Sequence, residues 1–286
     1  MNERTADLHL HTNASDGTQS ISELVERAAA CGLSTIAITD HDTISSDLVE
    51  RVTEIHGIEV ITGVEIKVDY AGVRGELLGY FVEPQTPALR TLFSFMHRAR
   101  EERMQRMIER CAEYLKTDIT FDEVRALATG SVGRPHLAQV LVEKGLAPSL
   151  GAAFRQYIKT GKPCYVPLAR PDYCDAMHAI HAAGGVAVIP HPCLMPIEDW
   201  GAFLEKTRSE GIDGVEVFYP YDRVNGDLSI DPEKLRAMSE KYGFLLTGGS
   251  DDHGPNSVKE TLGVVKLPYH YVSALKQVCG LIQSDR

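Results

Sequence analysis

A chain of 286 residues, 43% hydrophobic and 24% charged, has room for one large α/β domain with an insertion or for two modest domains. Forty acidic against 29 basic residues give a formal charge of −11. That excludes a general cationic field for long duplex nucleic acid, so an anionic substrate must meet a local basic pocket.

The opening Met-Asn-Glu-Arg-Thr has no apolar signal-peptide core, and no run approaches the roughly 18 apolar residues of a membrane span. Six scattered cysteines form no C-x-x-C pair and no disulfide framework, which implies a reduced, cytoplasmic protein. In Asp7-Leu8-His9-Leu10-His11 the strand alternation puts His9 and His11 on one face. Asp16 follows in the loop, a carboxylate beside two imidazoles, which is a metal-ligand arrangement. Ser20 to Glu23 is a capping box ahead of a helix ending at Cys31-Gly32. Ser34–Thr39 is a buried strand ending in Asp40-His41-Asp42. A second helix is expected to about Ile55, then a strand at 58–62 leading to Gly63-Val-Glu65, and a strand at 76–81. This alternation implies βαβ units and a parallel sheet.

From about Pro84 the character changes. Residues 87–117 carry a long charged helical pattern whose interleaved arginines and glutamates describe a solvated face. Thr120 to Glu123 is a capping box, and helices are expected at 134–144 and 150–159. Residues 85–165 are therefore read as an all-helical insertion between segments 1–84 and 166–286. Alternation resumes with helix 173–183, strand 186–189 before Pro190-His191-Pro192, a helix to about Ser209, and strand 214–218. Asp231-Pro232 then opens a helix. Strand 244–247 runs into Gly248-Gly-Ser-Asp251-Asp-His253. A strand at 263–267 and a helix at 271–282 close the chain.

Several strands thus end in ligand-type residues: His9 and His11, His41, Glu65, His191, and Asp251 with His253. In parallel α/β folds such ends converge on one face, where active sites lie. Each residue alone has a bland explanation as a buried histidine or a capping acid; together they are hard to attribute to packing.

These motifs, Asp-Leu-His-Leu-His-Thr-x3-Asp-Gly, Ile-Thr-Asp-His-Asp-Thr, Gly-x-Glu, Ala-Val-Ile-Pro-His-Pro and Gly-Gly-Ser-Asp-x-His, resemble the polymerase and histidinol phosphatase (PHP) family of metal-dependent phosphoesterases. The insertion, through Gly133-Arg134-Pro135-His136 and Gly161-Lys162-Pro-Cys-Tyr165, resembles the branch of nucleoside 3′,5′-bisphosphate phosphatases and 5′-to-3′ exoribonucleases acting on short RNA. The resemblance implies a distorted (β/α)7 barrel, formed by 1–84 and 166–286 with the insertion as a substrate cap, whose mouth holds two or three divalent ions. His9, His11, Asp16, His41, Glu65, His191, Asp251 and His253 would be the ligands, with Glu65 as the bridge. Relatives usually carry histidine where this chain has Glu76. As a harder ligand, Glu76 would favour Mn2+ or Fe2+ over Zn2+; alternatively that metal position is weakly filled.

The chemistry this implies is in-line attack on a phosphate ester by a hydroxide bridging two metals. Arg134 would clamp a phosphate. His136 would bind a phosphate oxygen or protonate the leaving oxygen, and Lys159 and Lys162 would serve a second phosphate. The expected partner is a small nucleotide or short oligonucleotide. Two alternatives are a histidinol-phosphate-type phosphatase and a non-catalytic, metal-stabilised module binding nucleotides or a partner protein.

Overall fold

The computed structural model describes residues 4–128, 132–224 and 226–282. Two compact units make up the chain: one up to Leu92 and again from Pro171, the other Phe93–Arg170. Among the described residues no helix is long and apolar enough to cross a membrane.

The first unit begins with β1 (Thr5–Leu10) and α1 (Ile21–Ala30). The Ser20 hydroxyl and the Glu23 carboxylate cap α1 reciprocally, and Ile21, Leu24, Val25 and Ala28 form its buried stripe. Next come β2 (Thr35–Ile38), β3 (Val52–Ile55), β4 (Ile58–Tyr70) and β5 (Val73–Tyr80). The expected helix before residue 55 is not there. Val52–Ile55 is a strand, antiparallel to β4, because His56 (φ 50°) and Gly57 (φ 77°) form the two-residue turn that fits the twist of paired strands. Nor does β4 stop at Thr62. Val64, Ile66, Val68 and Tyr70 continue the buried face, and Ala71 (φ 51°) with Gly72 (φ 97°) turns the chain directly into β5. So short a turn permits only antiparallel pairing, and the fully parallel sheet expected from the sequence is in fact mixed.

After Pro171 the unit resumes with α6 (Tyr173–Ala182), β6 (Val186–Ile189), α7 (Trp200–Glu210), β7 (Gly214–Phe218), α8 (Pro232–Lys241) and β8 (Leu245–Gly248). The strand expected at 263–267 shrinks to β9 (Leu267–Pro268), antiparallel to β1, and α9 (Tyr269–Val278) follows. The sheet order is β8-β7-β6-β5-β4-β2-β1-β9, with β3 paired to the side of β4. A parallel bridge from Leu10 to Asp252, and a bond from the His11 amide to the Asp252 carbonyl (2.9 Å), nearly close it into a barrel. A side chain on Gly249 would run into the backbone of His9, so glycine there is what lets the end of β8 approach β1. The result is an α/β fold with a distorted, nearly closed barrel in which β5 alone of the seven ring strands runs backwards.

The second unit is helical. It contains most of α2 (Pro87–Leu115), then α3 (Phe121–Ala126), α4 (Arg134–Glu143) and α5 (Leu150–Ala153), the last continuing as a π-turn over Phe154–Ile158. Its own core joins Met104, Met107 and Cys111 of α2 to Val124, Leu137, Leu141 and Cys164.

Candidate metal centre

The C-terminal ends of the parallel strands bring the candidate ligands together. His9 lies within β1, and His11 follows it on the same face; both are buried. His41 follows β2, Glu65 lies within β4, Glu76 comes from β5, and His191 follows β6, while Asp251 and His253 follow β8. Glu65 sits among four imidazoles. His9 Nε2 (3.4 Å) and His191 Nε2 (3.1 Å) face its Oε1, and His11 Nε2 (3.5 Å) and His41 Nδ1 (2.9 Å) face its Oε2. Asp251 Oδ1 is 3.2 Å from His11 Nε2 and 3.8 Å from His9 Nε2. Asp16 Oδ1 is 3.4 Å from His253 Nε2, and its Oδ2 is 3.7 Å from His41 Nε2. Glu76 Oε2 is 3.4 Å from His191 Nε2.

Among the described residues, four overlapping groups have ligand atoms within 4.8 Å of one another: His11, Asp16, His41 and His253; His9, His11 and Asp251; His9, Glu65 and His191; His41, Glu65 and Glu76. Three features fit this donor set to divalent cations. Imidazole and carboxylate together suit Mn, Fe and Zn. His9 Nε2, both nitrogens of His11, His41 Nδ1 and Glu65 Oε2 are buried and, although His41 Nδ1 and Glu65 Oε2 stand 2.9 Å apart, none makes a well-aligned hydrogen bond, and burying polar atoms so poorly paired is costly. Finally, His191 (φ 29°) and Asp251 (φ 56°) hold left-handed backbone conformations, the kind of local strain that persists where a site requires it.

Residues that sequence reasoning missed hold the cluster in place. Glu216 of β7 takes His9 Nδ1 on Oε1 (3.1 Å) and the His191 amide on Oε2 (2.8 Å). It therefore sets the His9 ring so that Nε2 faces the cluster, as a carboxylate behind a metal-ligating histidine does. Its signal was a lone charge within the apolar strand Gly-Val-Glu-Val-Phe. Asp7 accepts from the Ser250 amide (2.8 Å), tying β1 to the segment before Asp251. Tyr219 donates to Asp251 Oδ2 (2.9 Å), where Lys259 also binds, which leaves Oδ1 toward the histidines. The acids flanking the histidines are loop-holders. Asp40 accepts from the Thr12 amide (2.8 Å) and the Ser15 hydroxyl (2.6 Å), and Asp252 accepts from the Thr261 and Leu262 amides (2.6 and 2.8 Å).

Electrostatics follow from burial and crowding. Burial drives the His11 imidazole down to about 4, against the pull of Asp251 and Glu65, so at neutral pH it is a lone-pair donor. Burial also opposes charge on His9, but Glu216, Glu65 and Asp251 outweigh it and raise the ring well above its ordinary value. Burial likewise works against the Glu65 carboxylate, yet His41, His9 and His191 hold it well below the usual range. Asp7, sealed from water, is pushed up to about 7.

The remaining candidates lie in the helical unit. Arg134 opens α4 with its guanidinium 5.6 Å from the Phe154 ring and 6.0 Å from the Tyr165 ring. His136 Nδ1 accepts from the Gly133 amide (3.0 Å) and so caps that helix. This bond leaves the ring proton on Nε2, and burial together with Arg125 lowers the imidazole's pKa. Neutral His136 is thus a hydrogen-bond donor rather than a ready acid. Lys159 and Lys162 are exposed, in a turn closed by the Lys162 amide on the Lys159 carbonyl (2.9 Å).

Among known proteins, residues 7–165 match the PHP domain. A Haemophilus influenzae protein named 5′-3′ exoribonuclease is 38% identical over 87% of this chain and 90% of its own length. A 3′,5′-nucleoside bisphosphate phosphatase from Chromobacterium violaceum is 30% identical over 90% of each. The solved structure of a Bifidobacterium adolescentis protein, assigned by prediction to the metal-dependent phosphoesterases, superposes with a TM-score of 0.73 at 29% identity over 96% of both chains.

Proposed function

This chain belongs to the PHP domain family and is a metal-dependent phosphoric ester hydrolase, and on that premise we propose that its substrate is a nucleotide with a terminal phosphate. The two forms that fit are a nucleoside 3′,5′-bisphosphate and the 5′ end of a short RNA. The observation that carries the reading is the cluster of buried imidazole and carboxylate atoms without well-aligned hydrogen bonds at the barrel mouth. The two relatives' printed activities support the nucleotide class.

We assign His9, His11, Asp16, His41, Glu65, Glu76, His191, Asp251 and His253 as ligands of two or three divalent ions. Mn2+ is the first choice, with Fe2+ and Zn2+ as the alternatives for an oxygen-rich imidazole site. Bound there, such ions supply a water acidic enough to attack at neutral pH and neutralise charge on the phosphoryl oxygens. The chain's own residues provide the rest. Glu216 fixes the His9 ring, and Tyr219 with Lys259 turns Asp251 so that Oδ1 faces the histidines. Burial of His9, His11 and Glu65 keeps bulk water off them and strengthens every charge interaction inside. The helical insertion is assigned the role of substrate-binding cap. Arg134 offers a planar fork to a second phosphate, neutral His136 donates from Nε2, and Lys159 and Lys162 add charge.

The test is a substrate comparison. A nucleoside 3′,5′-bisphosphate is expected to be hydrolysed with higher kcat/KM than the matching 5′-monophosphate, and far better than histidinol phosphate, because binding of the remote phosphate raises the rate at the reacting one. Arg134→Ala is expected to shrink that preference by about 10- to 150-fold, the worth of one charge-assisted contact. Equal efficiency on mono- and bisphosphates would reject the two-phosphate reading.

A further inference from the structure

Lys67 is a cation beside the cluster of imidazoles and carboxylates; unlike Lys259, which is spent on Asp251, it has no part in the ligand assignment. It is two residues beyond Glu65 on β4 and so on the same face, about 7 Å along an extended strand. In the antiparallel register Lys67 stands directly opposite Glu76 of β5, and its Nζ lies 3.3 Å from Glu76 Oε1. That same oxygen is 3.9 Å from His41 Nδ1, while Oε2 faces His191 Nε2 at 3.4 Å. Glu76 therefore ties the ammonium to two imidazoles of the cluster. The Lys67 amide is fixed by Asp42 Oδ1 (3.0 Å), the residue after His41, and the ammonium's charge is felt at His41.

Lys67 and Glu76 are only partly exposed, 23% and 22% of their side chains, so the ammonium is neither dispersed in solvent nor sealed in the core. An incoming anion can reach it. An ammonium has three donors, and one carboxylate oxygen engages one of them.

We propose that Lys67, held in place by Glu76, donates to a non-bridging oxygen of the phosphoryl group that reacts at the cluster. Lys67 is then a substrate-contacting catalytic residue and Glu76 its positioning residue, whether or not Glu76 also meets an ion. The proposal rests on the phosphoesterase reading and adds a fixed, metal-independent charge to it, one that stabilises a phosphoryl group as charge builds on its oxygens.

The experiment compares wild type, Lys67→Met, Lys67→Arg and Glu76→Gln in three readings: kcat and KM on adenosine 3′,5′-bisphosphate, affinity for inorganic phosphate by calorimetry, and divalent metal per chain. Lys67→Met is expected to lose about 10- to 150-fold in kcat/KM, the worth of one charge-assisted hydrogen bond. It should also bind phosphate more weakly, with its metal content undiminished. Lys67→Arg should recover part of both losses, and Glu76→Gln should weaken phosphate binding in the same direction. Lys67→Met within twofold of wild type in kcat/KM and in phosphate affinity would overturn the proposal. So would a loss of metal in step with activity, which would make Lys67 a prop of the cluster. If wild type hydrolyses no phosphate ester, it is the enzymatic reading that fails; the calorimetric comparison still decides for or against Lys67.

Discussion

The two ends of the barrel both hold clustered ionisable groups, and they treat them in opposite ways. At the end where the strands begin, the Glu59 carboxylate is fully engaged. Lys276 binds Oε1, while Thr35 (3.0 Å), the Tyr269 hydroxyl (2.9 Å) and Arg4 (3.4 Å) meet Oε2. The network is complete within the protein and staples α9 to the sheet. At the end where the strands finish, imidazoles and carboxylates crowd within a few ångströms, yet five of their buried atoms make no well-aligned hydrogen bond. We assign the same residue chemistry a structural role where every lone pair has a donor and a metal-binding role where the lone pairs converge on a common space. A buried acid or histidine is therefore informative only through its partners.

Substitutions at the two ends should separate cleanly. The largest effect is expected at the mouth. His9→Ala or Asp251→Ala should lower phosphoesterase turnover by more than about 100-fold, since even residues behind metal ligands are commonly worth 10- to 100-fold; initial rates under saturating Mn2+ check this. Glu216→Gln comes next. It keeps the shape but weakens the hold on His9 Nδ1, and should reduce metal affinity by about 10- to 100-fold, read by titrating activity against free Mn2+. The smallest effect is expected at the closed end, and on stability alone. Burial opposes the Glu59 charge, but Lys276, Tyr269 and Thr35 hold its pKa below the ordinary carboxylate value. With the folded value below the unfolded one, its contribution is complete above about pH 4.5 and is lost as pH falls through the folded value. Glu59→Gln should therefore cost about 1–3 kcal/mol at pH 7 and progressively less on acidification, measured by urea unfolding, with turnover unchanged. A fall in turnover for Glu59→Gln as large as that for Glu216→Gln would break the distinction between the two ends.

Much of this contrast was readable before folding. The period-2 pattern of Asp7-Leu8-His9-Leu10-His11 put the histidines on one face, and the apolar strands each ending in a histidine or acid pointed to convergence at one end. The capping boxes at Ser20 and Thr120 located two helix starts. What was not legible depended on pairing. His56-Gly57 and Ala71-Gly72 are weak turn signals until both residues of each adopt positive φ, so a helix was expected in place of β3, and a parallel strand in place of β5. The same cause hid Lys67, since only the β4–β5 register sets it opposite Glu76. Glu216 looked like one charge in a strand because its partners, His9 and the His191 amide, lie 207 and 25 residues away. In Asp40-His41-Asp42 and Asp251-Asp252-His253, composition does not tell a ligand from a loop-holder; the backbone amides bonded by Asp40 and Asp252 do.

We assign a divalent-metal site to the barrel mouth and none to the end where the strands begin. The most direct measurement is elemental analysis of metal per chain after dialysis with Mn2+, for wild type, Asp251→Ala and Glu59→Gln in parallel. About two or three ions are expected in wild type and in Glu59→Gln, with at least one lost in Asp251→Ala. A wild-type chain that retains no ion, or an Asp251→Ala chain that retains the full complement, would contradict it.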